Sequence, residues 1–126
     1  MGRWAIRLVA LGGVLLTGTE LHAHHAVASI YDLNTEVVLE GQLTKLNFRN
    51  PHSNLELAVA NADGTTTQWV LTTASTNVLS RAGVNRDSIK PGEFLKVTIL
   101  PARNGNPAGF IRRLELAERE FDLEID

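Results

Sequence analysis

The chain is one small globular unit, because 126 residues with 44% hydrophobic and 21% charged content are too few for a multidomain enzyme and too apolar for a disordered tail. The absence of cysteine excludes disulfide frameworks, Cys-based zinc sites, thiol nucleophiles and iron–sulfur clusters. A formal net charge of -2 provides no basic surface for a polyanion, so no nucleic-acid partner is expected.

The first 23 residues follow the order of a secretory signal peptide. Two arginines precede an apolar run at 8–16, and a polar stretch then ends at the small residue Ala23. A membrane anchor is the alternative, but this run would span only about 14 Å, roughly half of a bilayer core. The sequence therefore predicts cleavage between Ala23 and His24. It also predicts a periplasmic or secreted protein without stable membrane insertion, with a single domain over 24–126.

The mature chain begins with an N-terminal arm at 24–35, and alternating apolar residues then predict β-strands. The first strand candidate, residues 37–49, changes phase, because its apolar residues switch parity between Leu43 and Leu46. Side chains on a strand repeat every two residues, so this switch predicts a bulge near residues 44–45. A long bent strand of this kind can belong to both halves of a small closed barrel.

The later elements are two strands joined by a hairpin turn at Asp63-Gly64, a short helix capped by Ser75 or Thr76, and two further strands. The order β-β-β-α-β-β is that of an OB-type five-stranded barrel, an all-β fold with one short helix. The acidic tail, residues 118–126, is either a frayed end or an additional strand, and its regular alternation favours the strand. The apolar positions of the predicted elements after the first strand are Leu55, Leu57 and Val59; Thr67, Trp69 and Leu71; Val78, Leu79 and Ala82; Leu95, Val97 and Ile99; and Phe110, Leu114 and Leu116.

Three histidines are candidate metal ligands: His24, His25 and His52. If cleavage follows Ala23, His24 begins the mature chain, and its α-amine and imidazole together form a bidentate nitrogen chelate. A further imidazole from His25 or His52 would complete a three-nitrogen set suited to copper. The alternative is that the histidines are incidental and that the barrel binds a protein or a small ligand without metal.

Catalysis is not expected from this sequence. It contains no G-x-S-x-G elbow, no H-E-x-x-H helix and no phosphate-binding glycine loop. The sequence therefore predicts a small exported binding or accessory protein, with copper or another transition metal as its specific ligand. An enzyme would require a bound metal.

Three motifs follow one another in the chain: Ala23-His24-His25-Ala26, Asn50-Pro51-His52 and Lys90-Pro91-Gly92-Glu93. In this order the chain resembles a family of small exported bacterial proteins of unknown function. Members of that family typically begin with His-His after the signal peptide and have Asn-Pro-His after the first long strand. The resemblance spans nearly the whole mature chain and implies an exported OB-like barrel without an established activity. Ala26 stands where members often have Ser, and Phe48 where they often have Trp, so no role for a hydroxyl at position 26 is implied.

Overall fold

The computed structural model describes the backbone of residues 19–116 and 119–123, and the side chains of residues 25–116 and 120–123. Residues 1–18 of the predicted signal peptide, and residues 118 and 124–126 of the predicted acidic tail, lie outside this part. The helices and strands of the described residues are α1 (Thr19–Ile30), β1 (Val37–Asn47), β2 (Asn54–Ala60), β3 (Thr66–Thr72), α2 (Thr76–Arg81), β4 (Phe94–Pro101), β5 (Ala108–Leu116) and β6 (Arg119–Asp122).

Five of the strands close into a barrel. Antiparallel pairing joins β3 to β2, β2 to β1, β1 to β4 and β4 to β5. A short parallel pairing of residues 70–72 with residues 108–110 joins β3 to β5 and completes the ring. β6 pairs antiparallel with the C-terminal part of β5, which confirms the acidic tail as an additional strand over the residues described. The predicted OB-type barrel is thus confirmed.

The predicted change of phase in β1 is also confirmed. Its N-terminal part, residues 37–42, pairs with β4, and the part from residue 42 onward pairs with β2. The register with β2 shifts between Leu43 and Lys45. The bulge lets one long strand contribute to both halves of the barrel, as the parity switch indicated.

Branched aliphatic side chains from β1 to β5 and from α2 fill the barrel interior. Phe48 and Trp69 are partly buried against this core, in agreement with their alternation in the sequence. The buried members of the core are Leu39, Leu43, Leu55, Leu57, Leu71, Leu79, Val84, Ile89, Leu95, Val97, Ile99, Ile111, Leu114, Leu116, Phe121 and Leu123.

Local sequence signals account for α2 and its ends. The Ser75 hydroxyl accepts a hydrogen bond from the Val78 amide, so Ser75 is the N-cap. Gly83 follows the C-cap with φ of +90°, a left-handed conformation that is favourable only without a Cβ. Leu79 on the inner face of the helix is buried, so α2 packs against the core between β3 and β4.

Phe110 is the strand residue for which the sequence-based prediction is wrong. The alternation of Phe110 with Leu114 and Leu116 indicated one inward face. The register of β4 with β5 instead shifts, pairing Thr98 with Arg113 but the next residue of β4 with Ile111. Ile111 therefore enters the barrel core, whereas Phe110 belongs to a separate cluster outside it.

The predicted N-terminal arm begins as a helix. α1 includes residues 24–30 of that arm and extends back through position 23. Neither helix of the described residues is long and apolar enough to cross a bilayer.

Candidate functional site

A second apolar cluster lies outside the barrel core and joins α1 to β4 and β5. Tyr31, Leu100 and Phe110 are buried in it, and Val27 and Ala102 pack against them. The rings of Tyr31 and Phe110 meet edge to face, with centroids 5.7 Å apart, a geometry that contributes about 0.5–1.5 kcal/mol beyond burial alone. We refer to these five residues as the Phe110 cluster.

Hydrogen bonds to the loop between β4 and β5 hold the C-terminal end of α1 in place. The Asp32 amide donates to the Pro101 carbonyl oxygen at 2.9 Å. Arg103 donates its amide to the Ile30 carbonyl oxygen at 2.9 Å and its Nε to the Ala28 carbonyl oxygen at 3.0 Å. The last carbonyls of a helix have no intrahelical partner, so Arg103 satisfies two of those that α1 leaves open.

His52 contacts the same cluster from the turn between β1 and β2. Its ring is exposed and meets Phe110 edge to face, with centroids 6.3 Å apart. His52 Nδ1 lies 3.3 Å from the Thr73 carbonyl oxygen, and the Tyr31 hydroxyl donates to the neighbouring Thr72 hydroxyl oxygen. A carbonyl oxygen only accepts, so the contact requires the proton on Nδ1 and leaves the lone pair on Nε2. Metal-binding histidines commonly have this arrangement.

The turn that presents His52 is stabilised by its two polar neighbours in the sequence. Asn50 Oδ1 accepts hydrogen bonds from the amide and the hydroxyl of Thr76, at 3.1 and 2.8 Å, and so ties the turn to α2. Ser53 is fully buried, and its hydroxyl bonds both to the amide and to the carbonyl oxygen of Arg49. These contacts close the loop after β1 and leave His52 on its outer surface.

The two N-terminal histidines lie in α1. The His25 side chain is exposed, while His24 is described by its backbone. Val27 is the α1 residue that packs on the Phe110 cluster, and position 24 lies one turn before it along the helix backbone. The structure thus brings α1, through Val27, and the ring of His52 to one cluster.

No ready-made metal site is seen among the described side chains. Within them, no group of three or more His, Cys, Asp or Glu residues is placed to hold a metal ion.

A separate cleft of about 320 Å³ opens between the end of β1 and the segment that follows α2. The guanidinium carbon of Arg86 lies 5.4 Å from the centroid of the Phe48 ring, which is a cation–π contact. The sequence does not predict this cleft, because the one lining residue that stands out in it is Phe48, and the alternation of Phe48 with Leu46 indicated a side chain that packs in the core. The residues that line it are Phe48, Thr76, Ser80, Asn85, Arg86 and Asp87.

These features define a small OB-type barrel with an N-terminal helix docked on its wall. The barrel is similar to the crystal structure of a mitochondrial single-stranded DNA binding protein from S. cerevisiae, Rim1, with a TM-score of 0.52 and 12% identity over 66% of this chain and 93% of that chain. At this identity the likeness shows the fold alone. The chain belongs to DUF6152, a family of unknown function, whose profile matches residues 13–112. A comparison with curated proteins found no match.

Proposed function

We propose that this protein is exported, that residues 1–23 are removed, and that the mature chain binds copper or another transition metal as an accessory protein. The observation that supports this proposal is the Phe110 cluster, on which α1 and His52 converge. Removal of residues 1–23 takes away Arg3, Arg7 and Glu20, which changes the net charge from -2 to -3 and favours cations weakly.

His24 supplies two of the three nitrogen ligands in this proposal, its new α-amine and its imidazole. The third is Nε2 of His52, because the Thr73 carbonyl oxygen holds the proton on Nδ1. Adjacent side chains on a helix do not face each other, so His25 reaches the same metal ion only if the first turn unwinds. His52 approaches from another element and needs no such change. Three nitrogens in this arrangement suit copper, which favours tetragonal nitrogen ligands.

The test uses a chain that begins at His24 with a free amine, titrated with Cu²⁺ against a competing chelator and followed by absorbance and electron paramagnetic resonance. We expect submicromolar affinity. His24→Ala, or one extra residue before His24, should weaken binding at least about 100-fold, since each removes part of the chelate. His52→Asn retains a donor to Thr73 but removes Nε2, and should weaken binding by about 10–100-fold.

His25→Ala is the matched control and should bind copper like the parent chain, because His25 lies on a different face of α1. Absence of binding, or binding indifferent to the N-terminus, would refute the metal proposal. Equal losses in the His25 and His52 variants would reject the assignment of His52 as the third ligand.

A second candidate function is small-ligand binding in the cleft beside Phe48. Within the described residues, Arg86 makes a ring contact and no ion pair, so its guanidinium donors face the cleft. Asp87 supplies the opposite charge at the next position. A zwitterion such as a free amino acid complements this pair, with its carboxylate on Arg86 and its ammonium on Asp87.

Two-dimensional NMR of the chain with each of the common amino acids tests this candidate. We expect shifts centred on the cleft that disappear in Arg86→Gln and persist in Arg81→Gln, an exposed control on α2 outside the lining. Spectra unchanged by all the amino acids would reject it.

Single-stranded DNA, which the similar yeast protein is named for binding, is not the ligand we propose for this chain. Binding of unpaired bases uses aromatic side chains for stacking and a basic groove for the backbone. The outward positions of β2 and β3 here include Glu56 paired with Val70 and Ala58 paired with Gln68, which supply neither.

A further inference from the structure

The outer face of β1 and β4 exposes two large hydrophobic side chains. Phe94 is 64% exposed and Val38 is 55% exposed. Both alternate with inward residues of the barrel, so neither is needed for its core. Phe94 also borders a shallow depression of about 280 Å³. Glu40, Lys96 and Glu115 line the same depression, so an exposed aromatic ring stands beside charged side chains, a combination that suits the core and rim of a protein interface.

Opposite charges lie between the two hydrophobic residues. Glu40 on β1 is directly paired with Lys96 on β4, and Lys96 Nζ lies 3.3 Å from Glu115 Oε2 on β5. Val38 lies two residues before Glu40 on β1, and Phe94 lies two residues before Lys96 on β4. Side chains two apart on a strand point to the same side, and Glu40 is paired with Lys96, so all four share one face of the sheet. The face therefore has a negative charge on β1, a positive charge on β4, and apolar groups to either side. We refer to Val38, Glu40, Phe94 and Lys96 as the Phe94 face.

The far end of this outer surface is already covered. Leu100 lies on the same side of β4 as Phe94 and is buried under α1 in the Phe110 cluster. The intramolecular helix thus occupies one end of the strand and leaves the Phe94 end open for another molecule.

We propose that the Phe94 face packs against the same face of a second copy of this chain. Its charges are self-complementary about a two-fold axis that runs along the strands between β1 and β4. Rotation about that axis places β1 of one protomer over β4 of the other, so that Glu40 faces the partner's Lys96 at both symmetric positions. The two Phe94 rings meet close to the axis. Such an isologous contact closes at two copies, and two faces packed in this way lie roughly 10 Å apart.

The mixed charges favour a second copy over other occupants. A membrane surface or a polyanion would require one sign of charge across the face, whereas here each sign is matched by the opposite sign of the same patch. The inference is independent of metal binding, because it involves neither His24 nor His52.

The test is the mass of the full chain in solution, measured by sedimentation equilibrium between about 1 μM and 1 mM. We expect a reversible monomer–dimer equilibrium. Phe94→Ser should weaken it at least tenfold, as expected for a central aromatic anchor. Val70→Ser, which alters a side chain that is 49% exposed on β3, is the matched control and should leave it unchanged.

Charge exchange then tests the geometry. Glu40→Lys and Lys96→Glu alone each place like charges opposite one another and should weaken the dimer at least tenfold. The double variant, combined with Glu115→Gln so that no carboxylate remains beside position 96, restores opposite charges at both symmetric positions and should recover the parent affinity to within a few-fold. Circular dichroism confirms that each variant is folded. A parent chain that stays monomeric at 1 mM, or a double variant as weak as the single ones, would overturn the proposal.

Discussion

Replacement of Phe110 by Leu tests whether one ring holds both α1 and His52. The variant keeps an apolar side chain in the cluster but removes the edge-to-face contacts with Tyr31 and His52, at centroid distances of 5.7 and 6.3 Å. The buried contact with Tyr31 contributes up to about 1.5 kcal/mol, and the contact with the exposed His52 about 0.5 kcal/mol. Only the first of these contacts holds α1, so we expect its docking to lose about 0.5–1.5 kcal/mol.

Hydrogen exchange at the Asp32 and Arg103 amides reports this loss directly. Both amides donate across the junction between α1 and the β4–β5 loop, to Pro101 and Ile30 respectively, so they exchange when the helix undocks. A loss of about 0.5–1.5 kcal/mol corresponds to exchange about 2–12 times faster. Urea unfolding of the same variant gives the change in global stability for comparison.

Phe121→Leu is the matched control, since it makes the same chemical change at a buried ring in the barrel core. It should lower the free energy of global unfolding. Hydrogen exchange at the Asp32 and Arg103 amides should become faster only to the extent that these amides exchange through global unfolding. If Phe110→Leu leaves these two amides as protected as Phe121→Leu does, the ring does not hold α1 and the structural basis for the metal proposal is refuted.

Two further predictions concern the barrel and the end of α1. Gly41→Ala should cost about 1–3 kcal/mol in urea unfolding, because the added Cβ would collide with the carbonyl oxygen of Ala58 on β2; a neutral variant would contradict this close approach. The pKa of Asp32 is lowered from its ordinary value of 3.8 by a hydrogen bond from the Thr35 hydroxyl and then by one from the Asn34 amide. A carboxyl group whose pKa is lower in the folded than in the unfolded protein stabilises the fold at pH values above its unfolded pKa, and this stabilisation is lost as the pH falls through its folded pKa. The difference in melting temperature between the parent and Asp32→Asn should therefore shrink below about pH 4. A difference that is the same at pH 3 and pH 7 would contradict this reasoning.

The parts of the fold that the sequence predicted are those with local physical causes. The bulge in β1 follows from a parity switch within one strand, because only one face of that strand is buried. The start of α2 follows from Ser75, whose hydroxyl meets an amide three residues later. The turn at Asp63-Gly64 is equally local, with Gly64 at φ of +85°.

The parts that the sequence did not predict depend on contacts between distant segments. Phe110 and Ile111 are adjacent and both apolar, so alternation alone does not decide which enters the core, and the choice is made by the register of β5 against β4. Among its described side chains, α1 contributes only Val27 to the Phe110 cluster, and Tyr31 follows the helix, so the sequence offers too few apolar positions to indicate a helical stripe. That α1 and His52 contact one cluster depends on the docked helix and on Phe110, which the sequence does not indicate.

Asn50 of the Asn-Pro-His motif and Ser53 directly after it stabilise the turn between β1 and β2, whereas the turn does not need His52. Asn50 accepts two hydrogen bonds from Thr76, and buried Ser53 bonds twice to Arg49, so these side chains account for the shape of the loop. His52 contributes one long hydrogen bond through Nδ1, which an asparagine side chain could also provide. A purely structural role therefore predicts that His52→Asn loses no more than about 0.5 kcal/mol, the contribution of the ring contact with Phe110, and leaves copper binding unchanged, whereas the metal proposal predicts the same small loss of stability together with weakened copper binding. The exposed ring of His52, in contact with the cluster on which α1 also packs, is the feature that a turn alone leaves unexplained.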